Sequence, residues 1–558
     1  MRGKGFGIVV LLSLGSALAA QDKSPQMDMP MPAATPAASP APAAPVAEGQ
    51  HDMASHGDMT APASPQLLTG YGDGGFAISH AKPAAAKFFS NGLELHAAFA
   101  HKAAMAAMDE AARLDPACAM CLWGQALTKG PTINYGKDLK ERAPLLVLAQ
   151  SARALAAKTG TPKERALTTA LIARYTPAKT TAVQDRAYAA AMQRVAAGFP
   201  LDNEVQVLAA DALMVAAFNT EDDYDHALLA ACLKLLEPVL ARAPEHTPAI
   251  HFYIHATETV GTPELALPYA EQLARLAPRA SHLVHMPSHT FYWVGRYHEA
   301  AEANHRAVAI DKANAARLGV AAPKGVWGLP YHAHNVIYGL GGALMAGDSR
   351  IGLDLGRSLV EVAAKRDEPE PWSELLAASG YYAIARFDPA SVMELPEPKL
   401  DYLKAAWHYA RGESLVWSGD LAAAKRERDA IPAQLAKGQA KDWPKDGTSA
   451  AEQMLGITRA VLEGRIAMAE GRYADAAKSF RLGAENEETK DFSYFTDPPA
   501  FWYPVRRDLA AALLAAGDAP GARREAEASL RLRKLDPVAE QILAAARAAI
   551  DKDSPLLR

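Results

Sequence analysis

Cysteine is scarce here: Cys118, Cys121 and Cys232 are the only three in 558 residues. Leu122, not His, follows Cys121, so the spacing is not that of covalent haem attachment. Cys118-Ala-Met-Cys121 reads first as two small residues at a helix junction and second as a CxxC disulfide. Charge of one sign is also missing. Charged residues make up 22% of the chain and the net charge is -5, which leaves no basic surplus for nucleic acid or anionic lipid. Runs of β-branched and aromatic residues are few while alanine is abundant, and that favours helix over sheet. No HExxH, GxSxG or phosphate-loop pattern occurs, so no standard hydrolase motif is available.

One apolar run stands at the N-terminus. Arg2 and Lys4 precede mostly apolar residues from Phe6 to Leu14, and Ala17-Leu18-Ala19 supplies small residues for cleavage. Residues 1–20 read as a secretory signal too short to span a membrane. No other run approaches 18 apolar residues, so the mature protein is expected to be exported, periplasmic or secreted, without a membrane span. Residues 21–66 are rich in Ala and Pro and lack apolar periodicity, which predicts a disordered linker. That linker carries Met27, Met29, Met31, His51, Met53, His56 and Met59. Thioethers suit Cu(I) and imidazoles suit Cu(II) or Zn(II), so copper handling by the tail competes with a plain solvated tether.

A repeat follows. Phe88, Gly92, Leu95, Ala104, Met108, Ala111 and Pro116 fit the 34-residue tetratricopeptide pattern. The pattern returns in Gly295-Arg-Tyr-His-Glu-Ala300, at Gly412, Gly419 and Ala424, at Gly464, Gly471, Tyr473, Ala476 and Phe480, and at Gly517 with Ala522. Between about 125 and 245 the consensus fades and divergent helical hairpins are expected. The fold class is therefore all-α, an α-solenoid of TPR-like hairpins, divided here as 67–345 and 346–558.

The segments Asp115-Pro-Ala-Cys-Ala-Met-Cys-Leu-Trp-Gly124, His282-Leu-Val-His-Met-Pro-Ser-His289 and Trp502-Tyr-Pro-Val-Arg-Arg507 carry a resemblance. The chain resembles a bacterial family of tetratricopeptide-repeat proteins with an HxxHMPSH-type segment, over most of residues 67–530. The resemblance implies the fold and brings no reaction with it.

Five of the 17 histidines lie between His251 and His289. His251/His255 and His285/His289 are i,i+4 pairs on one helix face, and the second pair follows the first by one 34-residue period. In proteins that resemble this one, positions 2, 5, 9, 12 and 13 of each repeat line the concave groove. Counting from Ala266 and Ala300 as position 20 puts His251, His255 and Glu258 at 5, 9 and 12, and His282, His285 and His289 at 2, 5 and 9. His334 falls at position 2 of the next unit, beside His332 and Asn335. Helices roughly 10 Å apart would let the two pairs converge on one metal ion. Copper or zinc is expected, with iron not excluded. Satisfied packing histidines are the opposing reading, and Pro287 should disturb the helix at His285 and His289. His96 and Glu413 read as solvated groove residues. Trp502 to Arg507 reads as packing or as a binding edge. Three functions follow in order: a groove binding a protein or peptide partner with a metal beside it, a metalloenzyme using the histidines with Glu258 as base, or an assembly scaffold without metal.

Overall fold

The computed structural model describes residues 65–220, 224–318, 325–367, 371–435, 445–489, 492 and 499–553. The signal segment and the Met/His-bearing linker through residue 64 lie outside the described residues. Among the described residues there is no β-strand, and no helix is long and apolar enough to cross a membrane.

The chain runs as a succession of helical hairpins. Pro83–Ala97 packs on His101–Leu114, Leu139–Thr159 on Pro162–Tyr175, and Thr181–Gly198 on Asn203–Phe218. After the histidine region come Tyr297–Leu318 on His332–Ala346, Ser349–Lys365 on Pro371–Phe387, and Asp401–Ser418 on Leu421–Ala430. Lys445–Ala469 then packs on Tyr473–Glu487, and Arg506–Ala515 on Ala519–Leu532 before Pro537–Asp553 closes the array. This is an all-α helical repeat fold.

The consensus residues act at helix crossings. Ala104 and Ala111 are fully buried. Met108 fills the space between two glycines: a Cβ on Gly92 would meet its Cε at 2.8 Å, and one on Gly124 would meet its Sδ at 2.3 Å. Three helices thus approach around one flexible thioether. Capping boxes start Leu139–Thr159 (Asp138 with Glu141) and Pro162–Tyr175 (Thr161 with Glu164), each satisfying two backbone N–H groups that the helix itself cannot.

In the divergent stretch a buried ion pair replaces consensus residues. Arg142 meets Asp185 through two bonds of 2.7 and 2.9 Å, and Asn219 donates to the same carboxylate at 2.7 Å. The CxxC pair, read first as packing, is a disulfide joining Cys118 and Cys121, with Cα atoms 5.3 Å apart. It sits at the start of helix Ala119–Thr128, where the Cys118 sulfur accepts the Cys121 N–H.

Two departures from a regular array bear on the site. After Thr247–Thr259 the expected second helix is broken into Pro263–Ala266, Leu267–Ala270 and Leu273–Leu276. Pro263 and Pro268 both lack the N–H that a continuous helix would use. The chain also folds back on itself. Tyr297 Oη donates to the Lys534 carbonyl at 2.6 Å, Tyr292 Oη to the Trp502 carbonyl at 3.3 Å, and Asp73 takes two bonds from Thr247. Gly295 has φ +86°, and a Cβ there would lie 2.6 Å from the Lys534 oxygen. One apolar cluster spans Phe291 to Ala512.

Candidate metal centre

Helix Thr247–Thr259 presents His251 and His255, and the next layer presents His282, His285 and His289 from two short helices, Ser281–His285 and Pro287–Trp293. The break falls at Met286–Pro287. Met286 N–H still reaches the His282 carbonyl, while His289 N–H turns to Met286, so the chain continues helically through a kink. His334 comes from the first turn of His332–Ala346.

These histidines form two triads rather than one four-histidine set. In the first, His251 Nε2 lies 3.0 Å from His282 Nε2 and 3.2 Å from His255 Nε2. In the second, His285 Nε2 lies 2.8 Å from His289 Nε2 and 3.1 Å from His334 Nε2. The ligand atoms of each triad all fall within 4.8 Å of one another. Three imidazoles at 2.0–2.1 Å on a tetrahedral ion would have their nitrogens about 3.3 Å apart. Either triad could hold one transition metal with little adjustment.

The ring hydrogens decide what those nitrogens can do. His251 Nδ1 is 2.8 Å from the Ala97 carbonyl oxygen, which can only accept. His285 Nδ1 is 2.6 Å from Asn304 Oδ1, and the Asn304 amide nitrogen donates to the Ala300 carbonyl, which fixes the orientation of the amide. His289 Nδ1 is 2.7 Å from Glu258 Oε2. All three rings therefore donate from Nδ1 and, when neutral, present Nε2 as a lone pair. This is the arrangement in which an outer acceptor fixes the tautomer of a metal-ligating imidazole. Burial disfavours the charged form of His251 and His285. It pushes His251 down to about 3, with a smaller effect from His289, and holds His255, His282 and His285 well below the usual histidine range, aided by the neighbouring imidazoles.

Glu258, expected as a ligand or base, belongs to neither triad. Its carboxylate accepts from His289 Nδ1 and, at 2.8 Å, from Trp293 Nε1. His332 turns away to Asp311 at 3.1 Å, which also takes the Asn335 amide.

The groove positions are buried. His251, His255, His282, His285 and His289 are between 0% and 4% exposed, with His334 half-buried. The repeat numbering placed them on an open concave face, but two aromatic residues cover the first triad. Phe99 stacks on His282 with centroids 4.9 Å apart and meets His251 edge-on at 4.4 Å, and Tyr331 lies 4.5 Å from His282. Phe99 and Tyr331 hold φ of +55° and +65°, uncommon for bulky residues and sustained here by packing at the site. His101 Nε2 and Asn134 Nδ2 each reach Tyr331 Oη at 3.2 Å. Tyr338 backs the second triad, 4.6 Å from the His289 ring.

Sequence reasoning missed Phe99, Asn304, Tyr331 and Tyr338. Tyr338 carried a signal, four residues after His334 on one helix face. Phe99 carried none, being about 150 residues away in the chain. His96, expected in solvent, is buried, and burial lowers it to about 4. Glu413 accepts from Tyr409 and Arg465. Trp502, Tyr503, Val505 and Arg507 are packed inside, with Arg507 paired to Asp536.

No family model and no curated protein matches the sequence. Solved structures align over most of its length. They include yeast Tom70 (12% identity, 85% of this chain and 91% of that one, TM-score 0.32) and the human IFIT1 dimer with m7Gppp-AAAA (11%, 85% and 92%, TM-score 0.29). The P58(IPK) TPR domain aligns at 11% identity over 84% of this chain and 99% of that one, with a TM-score of 0.21. The chain is similar to tetratricopeptide-repeat structures. At these scores the fold rests on the chain's own helical hairpins, and function on its own site.

Proposed function

We propose that this protein is an exported helical-repeat protein that binds transition-metal ions in its two histidine triads. The observation that carries the reading is the 2.8 Å approach of His285 Nε2 to His289 Nε2 while each ring gives its Nδ1 hydrogen to an acceptor. With both rings neutral the two Nε2 lone pairs repel at that distance, and a cation between them, a metal ion or a proton, relieves the repulsion. Imidazole nitrogen suits copper, zinc, iron and nickel, and the absence of a carboxylate from either triad favours copper or zinc within that group. The signal-like N-terminus supports export, and the Cys118–Cys121 disulfide is compatible with an oxidising compartment. A protein or peptide partner in the concave groove, as the repeat pattern suggests, would dock beside the histidines and not on them, because their rings are buried.

A second reading, a metalloenzyme, is favoured by the ligand count. Three protein donors leave a coordination position open, as catalytic sites require. The test common to both is elemental analysis of the purified mature chain after reconstitution with Zn(II) or Cu(II). Up to two ions per chain are expected, and His285→Ala/His289→Ala should hold one fewer. A metal-free protein that ignores both ions would sink the proposal.

A further inference from the structure

Away from the histidines, four helices send charged side chains to one place in the C-terminal half. Pro371–Phe387 brings Arg386, Asp401–Ser418 brings Tyr409 and Glu413, Lys445–Ala469 brings Arg465, and Arg506–Ala515 brings Arg507 and Asp508. Trp502 and Tyr503 lie buried among them. The Arg507 guanidinium carbon is 4.8 Å from the centroid of the Trp502 ring and 3.8 Å from that of Tyr503. The Arg386 carbon stands 5.7 Å from the same Trp502 ring.

The pairing in this cluster is uneven. Arg465 holds two carboxylates, Glu413 at 3.2 Å and Asp508 at 3.1 Å. In each, the same oxygen also accepts a tyrosine hydroxyl, Tyr409 on Glu413 at 2.8 Å and Tyr503 on Asp508 at 2.5 Å. Arg507, 3% exposed, reaches Asp536 through Nη1, and its Nε is buried with no hydrogen-bond partner. Arg386 is exposed, yet it pairs with no carboxylate among the described residues. Desolvation, and then the positive charges of Arg507 and Arg465, hold it below the ordinary arginine value.

The charges do not cancel. Arg533, 8% exposed, acts with Arg507 on the buried Glu487, whose carboxyl burial pushes up to about 8. Near neutral pH Glu487 therefore keeps its proton. Four guanidiniums, Arg386, Arg465, Arg507 and Arg533, then face three carboxylates, Glu413, Asp508 and Asp536. One positive charge is left over, and of the two arginines without a carboxylate only Arg386 is open to solvent. A guanidinium fork matches the two oxygens of a carboxylate. A partly desolvated arginine gains more from such a partner than one in open water. A second negative charge on the ligand, as on phosphate, would go unmatched and would approach Asp508 and Glu413.

We infer that Arg386, backed by Arg465 and Arg507 and floored by Trp502, is a binding subsite for one carboxylate group. It involves none of the histidines and stands without the metal-binding reading above. A free small acid and an acidic side chain of a peptide partner present the same two oxygens, and the experiment separates these sources.

The full mature chain is labelled with phenylglyoxal, and the modified arginines are read by peptide mass spectrometry. The probes are acetate, the acetylated and amidated tripeptide Gly-Glu-Gly, its Gly-Gln-Gly counterpart, and inorganic phosphate. Arg386 should be labelled freely and protected by a carboxylate probe, while Arg153, exposed on Leu139–Thr159, stays equally reactive throughout. Protection by acetate and Gly-Glu-Gly at the same concentration assigns a free acid, and protection by the peptide alone assigns an acidic side chain. Either result upholds the subsite. Saturation-transfer NMR with the protecting probe should show binding weakened about tenfold or more in Arg386→Ala. The loss should be smaller in Arg386→Lys, which keeps the charge and loses the fork. Protection by Gly-Gln-Gly, stronger protection by phosphate, or equal protection of Arg153 would overturn the inference. So would an unlabelled or unprotected Arg386, or unchanged binding in Arg386→Ala.

Discussion

Glu258 Oε2 lies 2.7 Å from His289 Nδ1, and Trp293 Nε1 holds the other carboxylate oxygen at 2.8 Å. The carboxylate is therefore fixed on two sides and orients the imidazole with Nε2 toward His285. Outer partners of this kind typically change metal affinity 10–100-fold. Glu258→Gln keeps the shape and weakens the acceptor. Titration with Zn(II) should show one site weakened by about that factor and the other unchanged. Equal loss at both sites, or at neither, would contradict the assignment of Glu258 to the second triad alone.

Metal should stabilise the folded chain. An ion that binds only the folded state adds about 2.7 kcal/mol at a hundredfold excess over its dissociation constant. Differential scanning calorimetry should show the melting temperature rising with Zn(II) or Cu(II) and falling on chelation. His251→Ala/His255→Ala should reduce the increment and also lower the metal-free melting temperature, since both rings are buried and leave a cavity.

The Arg142–Asp185 pair tests the divergent hairpins. Both side chains are about 1% exposed, so removing one leaves an unpaired buried charge. Asp185→Ala should cost about 3–5 kcal/mol in denaturant unfolding, more than replacing an exposed partner such as Glu361. A cost below 1 kcal/mol would show that the region is loosely held.

Asp211 should make stability depend on pH. Burial raises its carboxyl to about 6, against a partial opposing effect of Arg174. Between about pH 4 and 6 the folded chain keeps a proton that the unfolded chain has released, so this group's contribution is lost as pH rises through that window. Asp211→Asn should therefore gain on the parent between pH 4 and 6 and hold a constant lead above. A constant difference across the window would refute it.

Gly295→Ala tests the return of the C-terminus. The positive φ and the 2.6 Å approach to Lys534 both oppose a side chain. The variant should lose at least about 1 kcal/mol, and limited proteolysis should cut first near residues 533–536. An unchanged digest would show that the contact is dispensable.

The helical repeat was legible because its determinants are local. Gly295-Arg-Tyr-His-Glu-Ala300 sets a cap and a helix crossing within six residues, and both form as read. The histidines were legible for the same reason: an i,i+4 pair shares a helix face whatever surrounds it. Their partition was not. His255 joins His282, not His289, because the kink at Met286–Pro287 and the distance between helix layers decide which rings meet. Burial escaped as well, since Phe99 and Tyr331 reach the site from segments more than 200 residues apart. The Cys118–Cys121 spacing permitted a bond, but only the backbone at the start of Ala119–Thr128 shows that the two sulfurs meet.

The contacts of Tyr292, Gly295 and Tyr297 with Trp502, Lys534 and Leu535 set a limit on how this chain can evolve. An open array gains or loses a hairpin at little cost, since each unit answers only to its neighbours. Here the intervening hairpins must cover a fixed span so that residue 534 arrives at residue 297. Duplicating or deleting one would carry the last hairpin past its seat, or leave it short. Length variation should therefore be confined to loops and to the two ends, with the number of hairpins between these contacts held constant.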